Sequence, residues 1–194
     1  MGKTMKNPLN LNNSHIIDYA FDKEKSDLLD VWLFANCELC ITTGTGPDLI
    51  SMMYKKPVLA INYLPLGALF SWGEALTAPK NLYWKETGLT LSWKEHLENA
   101  FHHTKSYEDA GIDIIDLNSE EILDIVNEMI SRINKKFIEF DDDSTVQNKF
   151  WKIGKQSGHF NLGEPTSGLE YDFIHPNSHI SLSYVRNNLD WLKY

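Results

Sequence analysis

One stretch of the chain limits its possible folds more than any other, because two apolar runs flank a glycine turn and a short helical segment. Residues 39–43 (Leu-Cys-Ile-Thr-Thr) are apolar and β-branched, which is typical of a buried parallel strand. Residues 44–47 (Gly-Thr-Gly-Pro) then form a turn, and Pro47 suits the first position of a helix. Pro57 ends that helix, and residues 58–62 form a second apolar strand. This order predicts a βαβ unit with a right-handed crossover.

Capping signals and apolar spacing predict the other helices. Ser26 precedes an amphipathic segment whose first residue, Asp27, suits the positive end of a helix dipole. Ser92 with Glu95, and Asn118 with Glu121, have the spacing of capping boxes. The predicted helices cover residues 27–36, 92–103, 118–133, 145–153 and 184–191, and an edge strand is predicted over residues 112–116.

These elements predict an α/β fold of the Rossmann-like kind, with three layers (α/β/α) around a mostly parallel sheet. Residues 1–153 form the predicted domain, and residues 154–194 a loop-rich tail whose closing helix packs on the same domain. Residues 63–91 carry scattered proline and glycine, so we expect a long, partly ordered loop there. That loop contains Glu74, a candidate substrate contact.

Composition excludes several classes of protein. A chain of 194 residues can bury one sizeable core, and its formal net charge of −9 is the wrong sign for binding the phosphate backbone of nucleic acid. No apolar run approaches the roughly 20 residues that span a bilayer, and no signal-peptide pattern opens the sequence. We therefore expect a soluble, cytoplasmic protein with no nucleic-acid partner and no transmembrane segment.

The turn after the first strand is the main candidate site. Ligands of open α/β sheets bind at the carboxyl edge of the strands, where this turn is expected to lie. Glycines let the backbone approach a ligand closely, and free amides at a helix start can bind an anion such as a phosphate. The alternative is a tight turn with a threonine cap and no ligand. The candidate residues are Thr42, Thr43, Gly44, Thr45, Gly46 and Asp48.

The residue types that bind metals are too sparse to predict a metal site. Cys37 and Cys40 form one Cys-x-x-Cys pair, but no second pair exists to complete a tetrahedral zinc site. The pair also precedes a strand, whereas redox pairs normally open a helix. A cluster of His159, His175 and His179 with Asp172 is disfavoured, because these residues lie in the loop-rich tail and no predicted helix holds two of them at i, i+4 spacing.

Several motifs carry a resemblance to a known family. Residues 26–33 (Ser-Asp-Leu-Leu-Asp-Val-Trp-Leu), 42–46 (Thr-Thr-Gly-Thr-Gly) and 56–59 (Lys-Pro-Val-Leu) are the most specific. On these motifs the chain resembles a bacterial family of glycosyltransferases of GT-B type, associated with surface-polysaccharide gene clusters. The resemblance continues at residues 35–37, 62–65, 89–92, 107–112, 118–122 and 150–151, and in the helix near the carboxyl end.

The resemblance implies the C-terminal, donor-binding half of a GT-B enzyme, in which residues 1–153 hold a nucleotide-diphosphate sugar. Thr43, Gly44, Thr45 and Gly46 match the turn that meets the donor diphosphate. It implies no cofactor beyond this donor substrate and no metal, and it assigns no catalytic residue. The implied partners are a glycan or lipid-linked acceptor and either a separate N-terminal domain chain or a second copy of this chain. Peripheral attachment at the inner membrane would then come through such partners.

Two other functions stay open at this stage. The chain could be a non-catalytic interaction module that keeps the fold and needs a partner chain, because 194 residues cannot hold both halves of a GT-B enzyme. A sugar epimerase would share the turn and convert a nucleotide-sugar without an acceptor.

Overall fold

Helices and short strands alternate along most of the chain. The computed structural model describes residues 5–66, 73–99, 101, 103–140, 142–156, 175 and 177–193. The strands are β1 (Cys40–Thr42), β2 (Val58–Tyr63), β3 (Ala75–Pro79), β4 (Asn81–Trp84), β5 (Ile112–Ile115) and β6 (Ser178–Ile180). The helices are α1 (Asp27–Asn36), α2 (Asp48–Met53), α3 (Trp93–Asn99), α4 (Thr104–Asp109), α5 (Ser119–Ile133), α6 (Asp143–Gln156) and α7 (Leu182–Asn187).

A four-stranded parallel sheet organises the fold. Its strand order is β1-β2-β3-β6, and every neighbouring pair is parallel. The predicted βαβ unit is confirmed, since α2 connects β1 to β2 and contacts both strands. β4 and β5 form a separate two-stranded antiparallel sheet. The chain therefore has the α/β fold with a mostly parallel sheet that the sequence predicts.

The capping signals in the sequence correspond to real helix starts. The Ser26 hydroxyl accepts a hydrogen bond from the Leu29 amide at the start of α1. At the start of α5, Asn118 and Glu121 form the predicted capping box, each side chain accepting from the other's backbone amide. These bonds satisfy amides that have no partner within the helix, which is why the starts were predictable.

The predicted loop over residues 63–91 is wrong, because β3 and β4 lie within it. All five residues of β3 are buried, and the strand lies between β2 and β6. Its side chains are mostly small. Pro79 occupies its last position, beside the register shift between β2 and β3, where a missing amide is tolerated. Short strands of this composition lack the β-branched and aromatic enrichment on which a strand prediction rests.

The carboxyl-terminal part contributes a strand as well as a helix. β6 pairs in parallel with β3, and α7 packs against α5. The predicted helix over residues 184–191 is present as α7 followed by a 3₁₀ helix, Leu189–Leu192.

An aromatic cluster joins α3, α6 and the final 3₁₀ helix. The ring of Trp93 stacks on Phe150 and Trp191, at centroid distances of 5.1 and 5.8 Å. The indole N–H of Trp93 donates to the Phe150 carbonyl at 3.1 Å. All three side chains are fully buried in the main core, so this cluster holds the three elements together.

Candidate functional site

The candidate turn lies at the carboxyl end of β1, between Thr42 and Asp48. Because β1 is the first strand of a parallel sheet, this end belongs to the edge at which open α/β sheets bind ligands. The segment from Thr43 to Pro47 is exposed, whereas the residues on both sides of it are buried. The turn is therefore an exposed loop held at two buried ends.

Those two ends are hydrogen-bonded to each other. The Thr42 hydroxyl donates to the Asp48 carboxylate at 2.9 Å and accepts from the Gly44 amide at 3.0 Å. Thr42 is 8% exposed and Asp48 is 1% exposed, so both side chains are largely buried and bonded to each other. The sequence placed both among the candidate contacts, and the structure gives them the geometry of a brace that fixes the turn.

Gly44 gives the turn its shape. Its φ of +86° lies in the left-handed region that favours glycine. A Cβ at this position would lie 2.5 Å from Cε2 of the buried Tyr63 ring, so no larger residue fits unless that ring moves. Burial, together with the nearby Asp48 carboxylate, raises the pKa of Tyr63 to about 12. Tyr63 is thus a neutral packing surface beneath the turn.

The amides at the start of α2 are used within the turn. The amides of Asp48, Leu49 and Ile50 donate to the carbonyls three residues earlier, at 3.0 to 3.2 Å. The sequence pattern predicted that such amides would be free to bind an anion. In the structure they instead donate to backbone carbonyls of the turn itself. Thr43 and Thr45, which carry hydroxyl groups, are exposed residues, and so is Gly46. Hydroxyl groups, more than helix amides, are the donors that this turn presents.

A groove of about 360 Å³ opens beside the turn and along β1. No charged residue lines it, so a negatively charged ligand at the turn would meet no nearby carboxylate within the groove. Its lining residues are Leu33, Phe34, Cys37, Leu39, Cys40, Ile41, Thr42, Thr43, Thr45 and Ile61.

A larger cavity of about 650 Å³ lies at the opposite, amino edge of the sheet. Glu74 lines this cavity just before β3, so the structure separates it from the candidate turn. Arg132 and His179 also line it, and the Arg132 guanidinium pairs with buried Glu128 at 2.9 Å. Burial, followed by the positive charge of Arg132, lowers the pKa of His179 to about 4. The residues that line this cavity come from distant parts of the sequence, so no spacing signal could have predicted it.

The cysteines and histidines form no metal centre among the residues that the structure describes. The Cys37 thiol donates to the Phe34 carbonyl at 3.3 Å, and burial raises the pKa of the Cys40 thiol. Both cysteines are free and serve as packing residues. His175 accepts from the Asn177 amide at 3.1 Å. His159 and Asp172 of the disfavoured cluster lie outside the described residues.

Two further searches, for membrane-spanning helices and for similar proteins, add nothing to this site. In the described part of the chain, no helix combines the length and the apolar character needed to cross a membrane. Comparison with family models, curated proteins and solved structures finds no match to this chain.

Proposed function

We propose that the chain is the donor-binding domain of a GT-B glycosyltransferase, with the turn from Thr43 to Gly46 holding the diphosphate of a nucleotide-sugar. The observation that carries the proposal is the exposed threonine-glycine turn at the carboxyl end of a parallel strand. The sequence motifs that resemble the glycosyltransferase family point to the same residues.

The chemistry of the turn supports an anionic ligand. Hydroxyls of Thr43 and Thr45 can donate to phosphate oxygens. A Cβ added at Gly46 would meet no atom within 4 Å, so the backbone there is openly approachable. The Thr42–Asp48 brace holds these groups in place before a ligand arrives, which lowers the entropic cost of binding.

The leaving diphosphate is where negative charge develops during glycosyl transfer. Hydrogen-bond donors fixed at that position stabilise the transition state, in which this charge develops, more than they stabilise the ground state. That difference accelerates the reaction. The acceptor and the group that activates it would come from a separate N-terminal domain or from a partner chain.

The test is a calorimetric titration of the purified chain with UDP, GDP, CDP, ADP and dTDP. We expect one of these to bind, and the double variant Thr43→Val, Thr45→Val to weaken binding by about tenfold or more, since two hydroxyl donors are lost. Thr145→Val, an exposed threonine on α6, is the matched control and should bind as the unmodified chain does. Equal affinity of the double variant and the control would refute the assignment.

A non-catalytic interaction module is the second candidate, favoured by large apolar side chains left exposed. Leu28 and Trp32 of α1 are 80% and 56% exposed, and Met53 of α2 is 77% exposed. Exposed apolar groups in such number are typical of surfaces that bind another protein. If the folded chain binds none of the five nucleotides, this second function replaces the first.

A further inference from the structure

The larger cavity, at the amino edge of the sheet, takes no part in the proposed donor site. We call it the amino-edge cavity. Its volume of about 650 Å³ lies within the roughly 300–1,000 Å³ of pockets that bind small molecules. One wall is the carboxyl end of α5 with the residues that follow it, and the other wall is the amino ends of β3 and β6. A ligand in this cavity would therefore contact two walls with different side chains.

The guanidinium of Arg132 brings hydrogen-bond donors to the amino-edge cavity. Its Nε and Nη2 atoms both donate to Oε1 of Glu128, at 3.1 and 2.9 Å, which uses two of the five N–H groups of an arginine. The remaining three, on Nη1 and Nη2, make no hydrogen bond within the part of the chain that the structure describes. Because the Arg132 side chain is only 15% exposed, these donors depend on an acceptor that enters the cavity.

Packing fixes the orientation of these donors. The guanidinium carbon of Arg132 lies 4.0 Å from the centre of the Phe137 ring, and the buried Glu128 carboxylate holds one edge of the group. One N–H of Nη1 and one N–H of Nη2 run parallel in any guanidinium, and such a pair matches the two oxygens of a carboxylate. Glu139 lies 3.8 Å from Nη1, too far for a hydrogen bond, and its side chain is 60% exposed. A ligand carboxylate can therefore take the position beside Nη1.

The charges around the cavity favour a ligand that carries both signs. Arg132 and Lys135 line the helix wall, Glu139 follows them, and Glu74 lines the strand wall. With Glu128 behind Arg132, three carboxylate side chains stand against two cationic ones. A phosphate or a simple carboxylic acid would meet this excess of negative charge, whereas a zwitterion adds no net charge.

The remaining lining residues are neutral. Burial, followed by the positive charge of Arg132, lowers the pKa of His179 to about 4. Its imidazole is therefore uncharged at about pH 7 and offers one hydrogen-bond donor and one acceptor. Most of the other residues are apolar and can contact a hydrophobic group; they include Pro57, Leu76, Met129, Ile133 and Phe137.

We propose that the amino-edge cavity binds an α-amino acid with a large apolar side chain. The carboxylate of this ligand accepts from the parallel N–H groups of Arg132, and its ammonium group pairs with Glu74. Its side chain packs against the apolar lining, including Met129 and Phe137. This binding function is additional to the proposed donor site, because the cavity and the candidate turn lie at opposite edges of the sheet.

The test is a calorimetric titration of the full chain, without nucleotide, with L-phenylalanine and L-leucine. We expect at least one of them to bind. The matched acid (3-phenylpropionate or 4-methylpentanoate) and the matched amine (2-phenylethylamine or 3-methylbutylamine) each lack one charged group and should bind about tenfold more weakly or worse. The proposal is overturned if neither amino acid binds at up to about 10 mM, or if a matched acid or amine binds as tightly as its amino acid.

An arginine variant tests the position of the carboxylate. Arg132→Lys keeps a positive charge beside Glu128 but removes the parallel N–H pair, so binding should weaken by about tenfold or more. The matched control is Arg186→Lys on α7, because Arg186 also pairs with a buried carboxylate, that of Asp143, and does not line the cavity. It should bind the amino acid as the unmodified chain does. Thermal unfolding without ligand establishes that both variants fold.

A glutamate variant tests the position of the ammonium group and decides the matter if Arg132→Lys does not fold. Glu74→Gln removes the charge and keeps the shape of the side chain, so it should weaken binding of the amino acid but not of the matched acid. Glu86→Gln, at an exposed position after β4, is its control. Equal affinity of either variant and its control would overturn the proposal, whether or not the turn binds a nucleotide.

Discussion

Two glycines in the candidate turn have different physical roles, although they look alike in the sequence. Gly44 adopts a left-handed φ against the buried Tyr63 ring, whereas Gly46 has open space around it. Gly44 is therefore required by the fold, and Gly46 is available for contact with a ligand.

Substituting each glycine by alanine separates these roles. Gly44→Ala should lower the free energy of unfolding by about 2–4 kcal/mol, because the new Cβ is strained and displaces Tyr63. Gly46→Ala should change it by less than about 0.5 kcal/mol. Thermal unfolding of the two variants measures the difference, and equal unfolding temperatures would contradict the described turn geometry.

His179 should make stability depend on pH. Its pKa is lowered to about 4 in the folded chain from an ordinary 6.5, because burial and the Arg132 charge disfavour the imidazolium. As pH falls below about 6.5 the unfolded chain takes up the proton first, so the free energy of unfolding decreases until about pH 4. The slope is at most about 1.4 kcal/mol per pH unit, and partial exposure reduces it.

Urea unfolding across this pH window provides the measurement. His179→Gln should flatten the pH dependence of the free energy of unfolding between about pH 4 and 6.5. Above pH 6.5, His179 contributes no pH dependence, so the slope there should not change. An identical pH profile in the variant would show that His179 titrates normally in the folded chain.

At the level of elements, a buried carboxylate connects α5 to α7. Glu128 is 4% exposed and accepts hydrogen bonds from the Ser181 hydroxyl at 2.8 Å and the Ser183 amide at 2.9 Å. It also pairs with Arg132 on its own helix. One side chain thus caps the helix that follows β6 and balances the guanidinium beside the amino-edge cavity.

Removing this carboxylate should be costly. Glu128→Ala should destabilise the chain by about 3–5 kcal/mol, because it leaves a mostly buried guanidinium and the amides of α7 without their acceptor. Asp124→Ala, an exposed acidic residue on the same helix, is the control and should cost less than about 0.5 kcal/mol. Similar losses in both variants would mean that Glu128 does not connect these elements.

The α5 capping box allows a smaller, sharper test. Asn118→Ala removes the acceptor of the Glu120 and Glu121 amides and should cost about 1 kcal/mol. Asn127→Ala, at an exposed position inside the same helix, should be neutral or slightly stabilising, since alanine favours helix. Chemical denaturation of both variants provides the comparison, and a neutral Asn118→Ala would contradict the capping role.

Over the whole molecule, the sequence predicted the elements that carry local signals. The α1 and α5 starts have capping residues, and the βαβ unit has a glycine turn between apolar runs. β3 was missed because its small residues resemble a loop, and only pairing with β2 and β6 makes it a central strand. Long-range pairing of this kind leaves no trace in local spacing.

The candidate site likewise has one part that the sequence could predict and another part that it could not. Sequence patterns identified the turn, but they could not separate the buried brace of Thr42 and Asp48 from the exposed Thr43 and Thr45. Nor could they predict that the α2 amides bond within the turn. Those distinctions depend on burial and backbone hydrogen bonds, which exist only once the chain has folded.

Amide chemical-shift mapping by NMR, during titration with the nucleoside diphosphate that binds best, tests the proposed donor site most directly. We predict saturating shifts centred on residues 43–46, and their loss in the double variant Thr43→Val, Thr45→Val. Shifts centred instead on Arg132 and His179 at the amino-edge cavity, or no shifts in the folded chain, would contradict a diphosphate site at the turn.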